Sequence, residues 1–401
     1  MRRPDSRPSA VVVGLDCITG LQSARLLAAR DVPVIGIVED RRHFCATTRV
    51  ARRIVSAPTA GEPLIRALQV LARQLPLPGY AFLLPCTDAA VLAISQFRDR
   101  LDERYRFVLP DHDVIVRLMD KVGFAEHAQR HGLPIPPTAI LRTRRDALAA
   151  QESLDFPAVL KPALKTPRWL RNVGAKAIRI NHPAELLPHY DELARWSDVL
   201  VAQTWIEGTE DDLYSSNMYF ARDGSAAVSF IARKIRQWPL DTGTSSLGVE
   251  VRNDTVRDIA LELFRSVGYR GLAYLEVKRD RGSRRYAIIE PNVGRPTGRS
   301  AIAERGGVEY LLTAYCDAVG LALPDAREQQ YRGVKWIYWR HDLQAALVRF
   351  NRGELTPADW WRSVRGPSIE AVGSLRDPMP FVADLAHTGS AIVRRLRARR
   401  Q

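Results

Sequence analysis

"AIIEPNVG", residues 287–294, is the stretch on which the reading turns. Ala287-Ile288-Ile289 makes a short apolar strand. Glu290 and Asn292 follow, with Pro291 between them and Gly294 just after. Residues two apart on a strand point to the same side. A carboxylate and an amide oxygen therefore project together from a strand end. Upstream, "GLAYLEVKRD" (271–280) is a second strand carrying Glu276, and "RGSR" (281–284) is a hairpin turn joining the two. Adjacent antiparallel strands thus collect the hard oxygen donors that magnesium takes, with phosphate oxygens and water completing its octahedron.

Lysine usage gives a second signal. Of 59 basic residues only seven are lysine: 121, 161, 165, 176, 234, 278 and 335. Where arginine is the default, a lysine marks a candidate position for a compact ammonium. Five of the seven fall between Lys121 and Lys234. Lys278 and Lys335 read as drift. Lys121 starts a helix, Lys161 ends the strand "FPAVLKPA", and a basic, loop-like stretch, "LKTPRWLRNVGA" (164–175), leads to Lys176. These are parts for holding a nucleoside triphosphate with point charges. The P-loop motif G-x-x-x-x-G-K-[ST] is absent.

The 401 residues exceed one ordinary core, and 46% apolar content is that of a globular protein. No apolar run reaches the roughly 20 residues of a membrane span. The start "MRRPDSRPSAVVVG" reads as a strand entry, not a leader. The four cysteines, Cys17, Cys45, Cys86 and Cys316, are widely spaced and form no zinc pattern, as expected of a reducing cytoplasm. The net charge of +14 is scattered over termini and loops, including "TRVARR" and five arginines in the last eight residues. With no aromatic-interleaved groove, this argues against a nucleic-acid partner. The basic amphipathic tail leaves a peripheral membrane contact open.

Residues 10–40 form a βαβ unit, and a further helix and the strand "AFLLPCTD" follow, with Thr87 and Asp88 at its end. "GLDCITG" lacks G-x-G-x-x-G, so the expected fold begins with an α/β Rossmann-like domain that lends loops to another substrate. "DHDVIVRLMDKVGFAEHAQRHG" (111–132) is one helical stretch, with Asp113 as a cap and Gly132 as a stop. An α+β body on antiparallel strands follows, then helices beyond 321. The expected division is 1–112, 113–320 with a small lobe at about 140–205, and a helical extension 321–401.

Taken together, these pieces resemble the ATP-grasp superfamily, and within it carboxylate–amine ligases of the D-aspartate ligase and D-alanine–D-alanine ligase kinds. The resemblance covers about 10–320. It implies α+β ATP-grasp domains with the nucleotide between two antiparallel sheets. Lys121 and Lys161 would lie on the α- and β-phosphates, with Lys176 nearby. In "QTWIEGTE", Gln203 would face the adenine, the backbone at Trp205 and Ile206 would complete that contact, and Glu210 would take the ribose hydroxyls. Glu276, Glu290 and Asn292 would ligate magnesium, two ions in all, with manganese able to substitute. Lys234 would approach the γ-phosphate, with Arg236. Arg295 and Arg299 would bind a carboxylate or the transferring phosphoryl group, or lie at the surface. Relatives often carry a glycine-rich loop between the positions of Lys161 and Lys176 and an arginine at the position of Gly294. Here the loop is bulky, with Trp169, and Arg295 follows the glycine.

Other readings of the same residues stay open. Gln203 could bond the backbone, Glu276 could pair with an arginine, Glu290 and Asn292 could cap a turn, and Lys176 could be solvated. The implied activity is an ADP-forming ligation through an acyl phosphate, on an amino acid or a peptide or cell-envelope precursor. Residues 164–175 and part of 237–247 would form a lid. Asp16 and Thr87-Asp88 would touch the acid or the amine. The partners are small-molecule acid and amine substrates, with a homodimer left open. The rival readings are a nucleotide-binding partner protein without catalysis and an NAD(P)-dependent oxidoreductase, which would leave the lysines and acidic strands unexplained.

Overall fold

The computed structural model describes residues 7–75, 79–101, 103–164, 166–175, 177–240 and 243–386. Lys176 and the basic tail, both singled out above, lie outside the described residues.

The first sheet has five parallel strands: β1 (Ser9–Val13), β2 (Val34–Val38), β3 (Ala51–Ser56), β4 (Ala81–Pro85) and β5 (Tyr105–Arg106), in the order β3-β2-β1-β4-β5. β1, β2 and β4 are continuous apolar runs, as strands covered on both faces must be. One face packs Leu64 and Leu68 of the helix Gly61–Ala72. The other packs Leu21, Ala24 and Leu27 of the helix Ile18–Ala28, and also Tyr310 and Leu311 of the helix Tyr310–Val319. β3 lies within the basic run that reads as loop in the sequence. Its Arg52 and Arg53 are exposed on a sheet edge, where charge deters pairing with other chains.

The single helical stretch at 111–132 is two helices, His112–Met119 and Lys121–Arg130. Asp120 separates them, and its carboxylate accepts from the Gly123 N–H at 2.7 Å. A short acidic side chain is a poor interior helix residue and a good cap, so the chain restarts there. Lys121 is thereby fixed at a helix start. Asp113 sits in the first turn of the earlier helix and does not cap it.

The second sheet is small and antiparallel: β6 (Thr138–Leu141), β7 (Ala158–Pro162), β8 (Ile178–Ile180) and β9 (Leu200–Thr204), in the order β6-β9-β7-β8. It has its own core. The stretch expected as a bulky loop holds a short helix, Pro167–Asn172, capped by Thr166. Trp169 is fully buried in that core and donates Nε1–H to the Ala175 carbonyl at 2.7 Å. The indole therefore anchors the segment.

The third sheet has seven strands: β10 (Leu213–Phe220), β11 (Ala226–Trp238), β12 (Thr244–Glu250), β13 (Gly271–Arg279), β14 (Tyr286–Val293), β15 (Lys335–Ile337) and β16 (Ser368–Glu370), in the order β14-β13-β10-β11-β12-β15-β16. All its pairs are antiparallel except β15 with β16. β15 and β16 come from the C-terminal segment and extend the sheet past β12. That segment is tied to the first helix. Gln22 donates to the Ala371 carbonyl and accepts from Trp336 Nε1–H, and Arg25 pairs with Asp377 at 2.9 Å. Among the described residues no helix is long and apolar enough to cross a membrane.

Candidate active site

β13 and β14 set Glu276 directly opposite Glu290, and Tyr274 opposite Asn292. Ile289 is an extra residue in β14, a bulge beside Glu290 of the kind that re-aims side chains near sites. Neither carboxylate has a hydrogen-bond or ion-pair partner among the described residues, so the arginine pairing left open for Glu276 is not made. Like charges directly opposite on a ladder repel, so the pair favours a cation between them. No cluster of three or more His, Cys, Asp or Glu suited to a metal occurs among the described residues. The donor set here is two carboxylates and an amide.

Glu276, Glu290 and Asn292 line a cavity of about 490 Å³ with Lys234, Arg295 and Arg299. Lys234 is buried and donates to Gln237 Oε1 at 2.9 Å. Burial pushes its pKa down, and the charges of Glu276 and Glu210 oppose that. Arg295 donates to Asp88 Oδ1 (2.5 Å), the Tyr274 hydroxyl (3.1 Å) and Asn292 Oδ1 (3.0 Å). It therefore ties β14 to the end of β4 and orients Asn292. Burial works against its charge, and Tyr274 and Asp88 outweigh burial to hold it protonated.

A second cavity, of about 170 Å³, lies between the small sheet and β14. It is lined by Lys121, Lys161, Gln203, Thr138 and again Glu290. Lys121 Nζ donates to the Ala163 carbonyl at 3.1 Å. Lys161 Nζ donates to Gln203 Oε1 at 2.9 Å, and Gln203 Nε2 donates to Thr138 Oγ1 at 2.8 Å. Gln203 thus bridges two side chains rather than bonding the backbone. Glu290 borders both cavities.

Several expected residues already have partners of their own. Arg236 does not reach the cavity of Lys234. The ladder slips at Ile235, and Arg236 is buried in a two-point ion pair with Asp342, at 2.8 and 3.0 Å. The Trp205 N–H is bonded to the Pro157 carbonyl, and the Ile206 carbonyl accepts from Lys278 Nζ at 2.8 Å. Neither residue lines the smaller cavity. The carboxylate of Glu210 accepts from Arg349 at 2.6 Å. Asp16 accepts from the N–H groups of Glu39 and Asp40 and so fixes a loop. Thr87 caps a helix, and Asp88 holds Arg295.

Other residues were missed or undervalued in the sequence. Lys278, read as drift, clamps Ile206 with its ammonium 5.2 Å from the Trp205 ring. Its rarity as a lysine was the signal. Arg299, left open as a surface residue, is buried in the larger cavity. Trp336 and Tyr338 wall the same cavity, and no local motif marks them.

No family model matches the chain. It is 22% identical over 228 residues to the D-aspartate ligase of Enterococcus faecium, covering 55% of this chain and 54% of the relative. It is 26% identical over 168 residues to the D-alanine–D-alanine ligase of Alkalilimnicola ehrlichii, covering 40% and 50%. The chain thus spans about half the length of the curated relatives it matches. Its fold is similar to N5-carboxyaminoimidazole synthetase of Staphylococcus aureus, with a TM-score of 0.64 at 14% identity over 82% of each chain. For the same enzyme complexed with ADP the TM-score is 0.62, at 14% identity over 82% of this chain and 81% of that one. The chain has the ATP-grasp fold, and its curated relatives lie among the carboxylate–amine ligases that its motifs resemble.

Proposed function

We propose that the chain is an ADP-forming, ATP-dependent ligase that activates a carboxylate as its acyl phosphate and joins it to an amine. One observation carries the reading. Glu276 and Glu290 face each other unpaired beside Asn292 and Lys234, and Glu290 also borders the cavity of Lys121 and Lys161. Glu276, Glu290 and Asn292 would hold magnesium, which supplies charge neutralisation to a transferring phosphoryl group when bound. The mutual repulsion of the two carboxylates supports that fit.

The nucleotide would lie between the four-stranded and seven-stranded sheets, with its phosphates at Lys121 and Lys161. Lys161 would turn from Gln203 to a phosphate oxygen, and the released amide would face the base. Burial lowers the pKa of Lys234, and an anion beside it would raise it again. Its ammonium would stabilise the negative charge shared between the attacking carboxylate and the γ-phosphoryl oxygens. Arg295 acts through Asn292, holding the amide oxygen towards the two acids. Trp336 and Tyr338, with the segment 164–175 and part of 237–247, would keep water from the acyl phosphate, which water would otherwise hydrolyse. The amine then attacks the acyl carbon and expels phosphate.

The names of the relatives favour an amino acid as a substrate, and a peptide or cell-envelope precursor is the other candidate substrate. A Rossmann-like first domain (1–112), the ATP-grasp body (113–320), the C-terminal extension, a second magnesium and a cytoplasmic setting belong to the same proposal. ADP release screened across pairs of amino acids and amines, with product mass measured, tests it. A productive pair should yield a product whose mass is acid plus amine less water. Glu290→Ala should lower that turnover by about 100-fold or more with the circular dichroism unchanged. Equal turnover in parent and variant would refute the metal assignment. If no pair stimulates ADP release, a nucleotide-binding protein without catalysis is the better reading.

A further inference from the structure

The described residues close on a helix, 379–386, whose polarity is inverted. A surface helix ordinarily buries its apolar stripe and turns its charges to water. Here Pro380 and Asp384, one helical turn apart, are buried. Asp384 Oδ2 accepts from the Tyr338 hydroxyl and from Arg340 Nε, both at 3.1 Å. Phe381 and Leu385, also one turn apart, are exposed, as is Val382 beside them. Val382 and Leu385 keep 53% and 52% of their surface open. The acid thus faces inward and the large apolar side chains outward.

The exposure continues on the helix Trp339–Asn351. Arg340, which holds Asp384, shares a face with Leu343 and Leu347, and both leucines are exposed. Nine of the thirteen large apolar side chains exposed among the described residues lie in 321–386. That concentration differs from the single apolar residues scattered over an ordinary surface, and it marks an interaction site.

Charge indicates what covers it. Residues 339–401 contain eleven arginines and six acids. Three of the acids, Asp342, Asp377 and Asp384, are buried in ion pairs with Arg236, Arg25 and Arg340. Arg352, Arg362, Arg365 and Arg376 are exposed. The sequence after the helix, 387–401, adds five arginines and no acid. The region is therefore apolar and positively charged together. Isologous pairing of two copies would set the same basic patch against itself. A bilayer with anionic headgroups meets both demands. It takes the apolar side chains at the acyl boundary and the arginines at the phosphates.

We propose that the C-terminal region docks the protein peripherally on an anionic lipid surface. Phe381, Val382 and Leu385, with Leu343 and Leu347, supply the apolar contact, and the arginines supply the charge. The inference goes beyond the ligase reading and does not depend on it.

Co-sedimentation of the full chain with vesicles of phosphatidylcholine, alone or mixed with phosphatidylglycerol, tests it. The protein should pellet with the mixed vesicles and stay in solution with the neutral ones. Binding should fall as salt rises from about 0.1 M to about 0.5 M. Val382→Asp combined with Leu385→Asp should weaken binding by about tenfold or more. The circular dichroism should not change, because both side chains already face solvent. If that variant does not fold, Leu343→Asp with Leu347→Asp carries the same expectation. Three outcomes overturn the proposal. One is no binding to the mixed vesicles. Another is equal binding by the parent and the folded variants, which would leave only attraction through the arginines. The third is self-association that the same substitutions abolish and vesicles do not affect, which would make a second copy the occupant.

Discussion

Glu276 and Glu290 repel across their ladder, and that repulsion can be measured. Glu290→Gln should stabilise the metal-free protein by about 0.2–1 kcal/mol in urea unfolding while abolishing ligation. Equal or lower stability would mean that the carboxylates do not strain each other. Arg236 illustrates the opposite case, a charge committed to the fold. With Asp342 it forms an ion pair that is 3% and 0% exposed, so Arg236→Met strands a buried carboxylate. The expected loss is about 3–5 kcal/mol by denaturant unfolding, partly recovered by adding Asp342→Leu. Glu276, Glu290 and Asn292 were legible because strand alternation and one short hairpin place them. Arg236 misled because alternation puts it beside Lys234, whereas the slip at Ile235 turns it to a partner 106 residues away. Local spacing carries no trace of either cause.

At the scale of elements, apolar strands with clear turns were readable, and so were the amphipathic helices. The short helix Pro167–Asn172 was not. Its polar, arginine-rich sequence resembles a solvated loop, and only tertiary packing identifies Trp169 as a core residue. Trp169→Ala should cost about 3–5 kcal/mol, confined to the small sheet and its helices. Hydrogen exchange should then quicken over residues 138–204 and stay slow in β10 to β13. Uniform quickening would mean that the small sheet does not unfold as a separate unit. β3, β15 and β16 escaped notice for a related reason. Edge and very short strands carry too little apolar alternation to stand out from basic loops.

Across the whole molecule, two buried acids contribute to the pH response. Burial raises Glu304 and Glu370 to about 7 each, against 4.5 for an ordinary glutamate. In the folded state each keeps its proton up to about pH 7, whereas the unfolded chain releases it near pH 4.5. The folded form therefore binds more protons between those values, and its stability falls as pH rises through that window. Glu304→Gln should raise the unfolding midpoint at pH 8, leave it unchanged at pH 4 and flatten the curve between. A parallel shift of the whole curve would exclude this linkage. Trp336 and Tyr338 bring the C-terminal segment to one wall of the cavity, and Gln22 and Arg25 hold that segment to the first helix, while the lysines and acids come from the middle of the chain. On the proposed ligase reading, selectivity and energy supply would thus be written in different stretches of sequence. Exchanging the terminal stretch between homologues could retune acceptor choice and leave the triphosphate grip intact, an interchangeable faceplate on a fixed engine.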